Sequence, residues 1–384
     1  MRRNPVLEQL GGYPIATIQM RARERRDAGL PLIDFSIGDP REPTPEFIRT
    51  ALVEAVGAVS QYPTASGLVE FRHAVAAYLE RRFDVEVDPD RQILPSAGSK
   101  EAIFSTPFVF VDRDAGDLVV VPTPGYPVYE RGARFAGAEV HRVVLDGDFV
   151  LRAGDIPPSV WERARLVWTC SPHNPSGAVT PSGDLAELYA AARASDTLLL
   201  ADECYVDVYD EDAYPDGPAS MLQIAGPAAE GLLVYLSLSK RSGMTGYRSG
   251  AVVGDADAIA ALRALRSTTG TIPPEFVQAA AAAAWSDDVH VAQRRAIFSE
   301  KRRILRRAFE RIGFEIVASR AGLYLWVVVD DDLAVTDRLL EHGIVVSPGR
   351  FFGPGGEGYI RLALVPTVDE CAAAAEQLVG LLGR

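Results

Sequence analysis

The chain has 384 residues, 48% of them hydrophobic and 24% charged, which is enough to bury a sizeable core and to divide into a large and a small domain. Its net charge of -13 argues against nucleic acid or an anionic membrane surface as the main partner, because both demand a concentrated positive field. The three cysteines, Cys170, Cys204 and Cys371, are odd in number and far apart, so neither a disulfide framework nor a cysteine-rich metal site is predicted.

A reducing, cytoplasmic setting is expected. The N-terminal Met1-Arg2-Arg3-Asn4-Pro5 lacks the apolar stretch of a signal peptide, and no run of about 18 apolar residues suggests a membrane span. The five histidines show no paired ligand spacing; His73, on a helical pattern, and His173, in a turn, are assigned structural roles.

In chain order, the turn Tyr62-Pro63-Thr64-Ala65-Ser66-Gly67 precedes Leu68, Phe71, Val75, Tyr78 and Leu79 at helical spacing, which predicts an amphipathic helix. Short apolar runs follow at 118–121, 166–170, 198–201, 232–236 and 251–253, each bounded by turn residues and each predicted as a buried strand. Helical patterns such as 184–193 lie between them, so a largely parallel sheet covered by helices is expected. The last third changes character. Beyond Thr271-Ile272-Pro273-Pro274 come an alanine-rich helix, a long arginine-rich helix, strands at 324–329 and 359–364, and a helix from about Val368 with Leu378, Val379 and Leu382 on one face. These form a smaller α+β domain. Arg302-Arg303 and Arg306-Arg307 are predicted to be solvated helix faces.

Chemistry concentrates at the strand ends. Lys240 follows the run 232–236 between hydroxyl residues in Ser237-Leu238-Ser239-Lys240-Arg241; it is either a surface lysine in a serine-rich turn or an amine in a partly dry pocket, able to condense with a cofactor aldehyde. Asp202 ends another strand pattern, where a carboxylate can hold a pyridinium nitrogen protonated. Tyr205 and Asn174, the latter in Asn174-Pro175-Ser176-Gly177, can reach the phenolic oxygen of such a ring, though Asn174 reads equally as a turn residue. Tyr126 in Pro124-Gly125-Tyr126-Pro127 is either a core tyrosine or a stacking partner for the ring face. Ala97-Gly98-Ser99-Lys100-Glu101 opens a helical run and is either an ordinary helix start or a phosphate loop, to which Ser237 and Arg248 add contacts. Arg248 alone reads equally as a structural ion pair. Lys100 is either a solvent lysine or a contact for a distal substrate carboxylate.

The ordered series Gly38, Tyr62, Gly98-Ser99, Tyr126, Asn174-Pro175-x-Gly177, Asp202-x-x-Tyr205, Ser237-x-x-Lys240, Arg248 and Arg361 resembles the fold-type I, class I/II pyridoxal phosphate aminotransferases over nearly the whole chain. That resemblance implies an α/β large domain at 46–272 with a mostly parallel seven-stranded sheet, a small domain at 273–384, and a segment 1–45 joining the small domain. It implies pyridoxal 5'-phosphate tethered to Lys240, Arg361 gripping the substrate α-carboxylate with help from the Gly38 backbone, and a homodimer in which Tyr62 reaches the phosphate of the neighbouring subunit. The segments 94–104, 170–177, 202–205, 237–242 and 285–291 are further similar to succinyldiaminopimelate aminotransferases of lysine biosynthesis, while Pro124-Gly125-Tyr126-Pro127 and Ser267-Thr268-Thr269-Gly270-Thr271 depart from that pattern. The expected substrates are therefore glutamate and N-succinyl-2-amino-6-ketopimelate. Alternatives are a transaminase for aspartate, aromatic residues or alanine, a pyridoxal-dependent lyase, or a non-catalytic cofactor-binding module, which the acidic balance disfavours.

Overall fold

The computed structural model describes residues 1, 3–11 and 16–383, so residues 2 and 12–15 of the N-terminal segment lie outside the described residues. Its centre is a seven-stranded sheet. Across that sheet the strands run Ile93–Ser96, Gly250–Gly254, Leu232–Ser237, Leu198–Asp202, Ala164–Cys170, Leu118–Thr123 and Glu139–Val144. Only Gly250–Gly254 is antiparallel to its neighbours.

Every residue of Leu232–Ser237, Gly250–Gly254 and Leu118–Thr123 is buried. Continuous apolar runs are what a sheet covered on both faces demands, and the five runs at 118–121, 166–170, 198–201, 232–236 and 251–253 all sit in it. The two strands without such a run lack it for local reasons. Ile93–Ser96 is four residues long and contains Pro95, and Glu139–Val144 is a part-exposed edge strand carrying Glu139, His141 and Arg142.

Helix Val69–Phe83 buries Phe71, Val75, Tyr78 and Leu79 at the predicted spacing, and Tyr78 packs on Trp285 of helix Glu275–Trp285 with ring centroids 4.8 Å apart. A second core gathers Phe35, Leu325, Val327, Ile360, Leu362 and Leu378. It lies under a four-stranded antiparallel sheet ordered Ser347–Pro348, Tyr359–Ala363, Tyr324–Val328 and Ile316–Val317. Strand Ile33–Asp34 pairs in parallel with Ile344–Val345 and so carries the following Ser36–Gly38 stretch to this half of the molecule. Helix Val368–Leu382 starts at a reciprocal cap in which Thr367 and Glu370 satisfy each other's backbone amides.

One expectation is corrected. Arg302 is fully buried rather than solvated, its guanidinium bound to Asp210 and, at 2.6 Å, to the Gly322 carbonyl. A charge can enter a core when a carboxylate and a carbonyl meet it, here with Arg302 Nε left without a hydrogen-bond partner, and helical periodicity alone does not reveal the partner carboxylate 92 residues earlier in the chain. Among the described residues no helix is long and apolar enough to cross a membrane.

Candidate active site

The strand ends Asp202 and Ser237 and the turn after Cys170 open onto a cavity of about 310 Å³. Carboxyl ends of parallel strands are where such sheets leave room for a ligand. Ser237 closes its strand, accepts from the Ser239 amide at 3.2 Å, and thereby starts the single turn Leu238–Arg241 that presents Lys240. The next residue anchors the turn: Arg241 is buried and donates to Asp207 at 2.8 Å and to the Ala284 carbonyl at 2.7 Å.

Lys240 Nζ donates to the Gly38 carbonyl. Desolvation pulls its pKa down to about 8, with Arg248 and Arg361 pushing the same way and Asp39 and Cys204 opposing. An amine that is partly neutral near pH 8 can act as a nucleophile and as a proton acceptor.

Asp202 is buried, accepts from Tyr129 Oη at 2.7 Å and from the Cys204 amide at 3.2 Å, and has its pKa raised by burial. Among the described residues it has no cationic partner closer than 4 Å. A buried carboxylate met only by neutral donors, Tyr129 and the amide and side chain of Cys204, is poised for a cation. Tyr205 Oη lies 2.8 Å from Tyr324 Oη.

Arg361 presents the opposite case. It is buried, donates to Asn174 Oδ1 at 2.9 Å and to the Ser36 carbonyl at 2.7 Å, and is sandwiched over the Tyr324 and Phe352 rings at 4.2 and 4.4 Å. Its Nε has no hydrogen-bond partner, and among the described residues no carboxylate pairs with it. It is a ready site for an incoming carboxylate. Gly38 beside it has no room for a side chain, since a Cβ would lie 2.7 Å from Tyr324 Oη.

At the far corner, Arg248 adopts φ 55° and donates to the Thr245 and Ala97 carbonyls at 3.0 and 3.3 Å. It makes no ion pair among the described residues. Gly98 lies under it at φ 76°, a left-handed conformation that favours glycine, and a Cβ there would crowd the guanidinium. Lys100 lies on the same side, its pKa lowered by burial and then by Arg248 and Arg131.

Eleven of the residues singled out in the sequence, Gly38, Ser99, Lys100, Tyr126, Asn174, Asp202, Tyr205, Ser237, Lys240, Arg248 and Arg361, therefore line one cavity. Gly98 sits just behind it. Tyr62 does not join them: it is 98% exposed and lies outside the cavity of its own chain. Sequence reasoning missed Tyr129, Tyr324, Cys204 and Phe352. Tyr129 follows Tyr126 by one helical turn and was within reach; Tyr324 and Phe352 come from the distant four-stranded sheet and its neighbouring turn, and no local pattern marks them.

The sequence pattern of the family described as aminotransferase class I and II matches residues 31–378. The chain belongs to that family. This aminotransferase is 38% identical over 350 residues to the 4-dedimethylamino-4-oxo-anhydrotetracycline transaminase OxyQ of Streptomyces rimosus, covering 90% of this chain and 93% of the relative. It is 35% identical to an LL-diaminopimelate aminotransferase of Dehalococcoides mccartyi, covering 99% of both chains. Its structure resembles a probable N-succinyldiaminopimelate aminotransferase of Thermus thermophilus with a TM-score of 0.88 at 29% identity, over 96% of this chain and 100% of the other.

Members of the family use pyridoxal phosphate, and the donor set of this aminotransferase fits that group. The unpaired buried carboxylate of Asp202 suits a protonated ring nitrogen, the amine of Lys240 an aldehyde, and Arg248 with its serine neighbours a phosphate.

Proposed function

We propose that this aminotransferase exchanges an amino group between glutamate and N-succinyl-2-amino-6-ketopimelate on the route to diaminopimelate and lysine. The observation that carries the reading is Arg361, a buried guanidinium without a carboxylate partner among the described residues, set in the same cavity as Lys240. The likeness to diaminopimelate-linked aminotransferases supports the choice of acceptor. A second reading, direct transfer involving LL-diaminopimelate, is favoured by the full-length identity to the relative of that name.

In this proposal Asp202 holds the ring nitrogen of the cofactor, Tyr205 and Asn174 its phenolic oxygen, Tyr126 its face, and Gly98, Ser99, Lys100, Ser237 and Arg248 its phosphate. When bound, pyridoxal phosphate supplies a ring that accepts the electron pair left as a bond to the substrate Cα breaks. Arg361, with the Gly38 backbone, fixes the α-carboxylate so that the Cα–H bond faces Lys240. Lys240 Nζ takes the Cα proton of the amino donor in the first half of the cycle and delivers a proton to Cα of the new amino acid in the second. The Tyr205 and Tyr324 hydroxyls, 2.8 Å apart, share one hydrogen bond on that side of the cavity.

The assembly we propose is a homodimer in the cytoplasm, in which exposed Tyr62 reaches the partner's phosphate site. Residues 1–45 are assigned to join a small domain at 273–384, and 46–272 to form the large domain.

The test is steady-state kcat/KM with glutamate as donor against the succinylated keto acid, pyruvate, oxaloacetate and a phenyl keto acid, with LL-diaminopimelate assayed as donor to 2-oxoglutarate. The succinylated acid is expected to exceed pyruvate by about 100-fold, the discrimination that a properly paired charged group supplies. A preference for any of the others removes this reading.

A further inference from the structure

Two acids in the segment 285–291 reach back to the turn that carries Lys240. Asp288 Oδ1 accepts from Arg241 at 3.3 Å, adding to the bonds that Arg241 makes with Asp207 and the Ala284 carbonyl. Asp287 reaches the next residue through His290: its Oδ1 lies 2.6 Å from His290 Nδ1, and His290 Nε2 lies 2.9 Å from Ser242 Oγ. Ser242 is fully buried and His290 nearly so, with the Phe47 ring packed edge-on against the imidazole at 5.4 Å between centroids.

The neighbouring charges set the direction of that chain. Partial burial raises the Asp287 carboxyl, but bonds from the amide and the ring of His290 outweigh it and hold the group below its usual range. An ionised carboxylate only accepts, so His290 Nδ1 carries a proton. Burial lowers the pKa of His290, with Arg241 and Arg294 adding to it and Asp287 opposing, so the ring is neutral near pH 7 and its Nε2 is an acceptor. Ser242 therefore donates its hydroxyl proton to Nε2.

A serine, a histidine and an aspartate in line can also activate a nucleophile, but this hydroxyl is closed off from any substrate. What the chain holds is backbone. The Ser242 amide donates to the Leu238 carbonyl at 3.0 Å and closes the turn Leu238–Arg241, and the Gly243 carbonyl accepts from Thr44 Oγ1 at 2.6 Å. A helix of one turn has no stability of its own, so its shape must come from contacts outside it. Residues 241, 242 and 243 are each held by such a contact, and His290 supplies the middle one.

We infer that His290 is a positioning residue for Lys240: through Ser242 it fixes the turn from which the amine reaches the cavity. His290 does not line that cavity, so its effect passes through the turn. The inference rests on the proposal that Lys240 is the amine that joins the cofactor, and it adds what holds that amine in place.

The test follows, by absorbance at one fixed pH, the capture of pyridoxal phosphate by cofactor-free H290Q, H290N and S242A. Glutamine carries its amide to the reach of imidazole Nε2 and can still meet Ser242, whereas asparagine reaches only as far as Nδ1 and keeps the contact with Asp287 instead. Capture is expected to slow about ten-fold in H290N and S242A and to stay within about three-fold of wild type in H290Q, because a loosened turn brings its amine into line less often. The double variant S242A/H290N should be no slower than either single variant, since both cut the same link.

Capture by H290N as fast as by H290Q, or by S242A as fast as by wild type, overturns the inference. S242A removes a single oxygen from the buried site and decides the question even where a His290 variant fails to fold. Borohydride reduction of wild type separates the two claims. Cofactor on another lysine sinks the assignment of the amine and this inference with it; cofactor on Lys240 with capture unchanged in the variants sinks only the role of His290.

Discussion

Tyr129 Oη donates to Asp202 Oδ2 across 2.7 Å, tying the helix Val128–Ala136 to the end of strand Leu198–Asp202 inside the core. Burial and the neighbouring carboxylate keep the Tyr129 phenol protonated, so it is always the donor. Its ring is stacked on Trp168 at 4.7 Å and cannot swing away.

Tyr129→Phe keeps that stacking and removes the bond, leaving Asp202 to the Cys204 amide and side chain. A hydrogen bond to a buried charge contributes about 1.5–3 kcal/mol, so cofactor affinity and kcat should each fall about ten-fold or more. Equilibrium dialysis of the cofactor and single-turnover kinetics check this. Unchanged values in both would show that the bond does nothing for Asp202.

Arg361→Leu separates substrate binding from cofactor binding. The variant should raise KM for the amino donor about 100-fold, the usual cost of losing one partner of a desolvated charge pair, while cofactor retention stays within about two-fold. A fall in retention matching the fall in kcat/KM would assign Arg361 to the cofactor instead.

The depressed pKa of Lys240 has a direct pH signature. With the amine titrating near 8 rather than 10.5, the rate at which cofactor-free protein captures pyridoxal phosphate should rise with pH and level off above about 8. Stopped-flow absorbance across pH 6 to 10 measures it. A rate still climbing steeply at the alkaline end would mean that the cavity does not desolvate the amine.

His173 predicts acid sensitivity. It is buried, its Nδ1 lies 2.8 Å from Ser176 Oγ, and burial pushes its pKa down to about 4. The unfolded state takes up a proton at about 6.5 while the folded state stays neutral, so stability from this group is present above 6.5 and is lost as pH falls toward 4. The loss is on the order of 3 kcal/mol at most. Denaturant titrations at pH 7 and pH 4.5 should show a smaller drop for His173→Gln than for wild type; equal drops would contradict the assignment.

Much of this was legible in the sequence, and the reason is physical. Strands buried on both faces must be continuous runs of apolar residues, and polar residues at their carboxyl ends, such as Asp202 and Ser237, then stand out against them. The strand Glu139–Val144 was illegible because an exposed edge imposes no such run. Arg302 was misread because its partner Asp210 is joined to it by folding, not by spacing. Tyr324 and Phe352 reach the site from the four-stranded sheet and its neighbouring turn, and only the packing of the two sheets reveals them.

Three amines compete for the cofactor aldehyde, for the sequence contains only Lys100, Lys240 and Lys301. Lys301 is fully buried against Glu42 and the Leu364 carbonyl, and Lys100 stands beside Arg248. Borohydride reduction of the holoprotein followed by peptide mass mapping decides between them. The pyridoxyl mass is expected on the peptide carrying Lys240 and on no other; the same mass on the Lys100 or Lys301 peptide, or an unmodified Lys240, would overturn the assignment of the cofactor to Lys240.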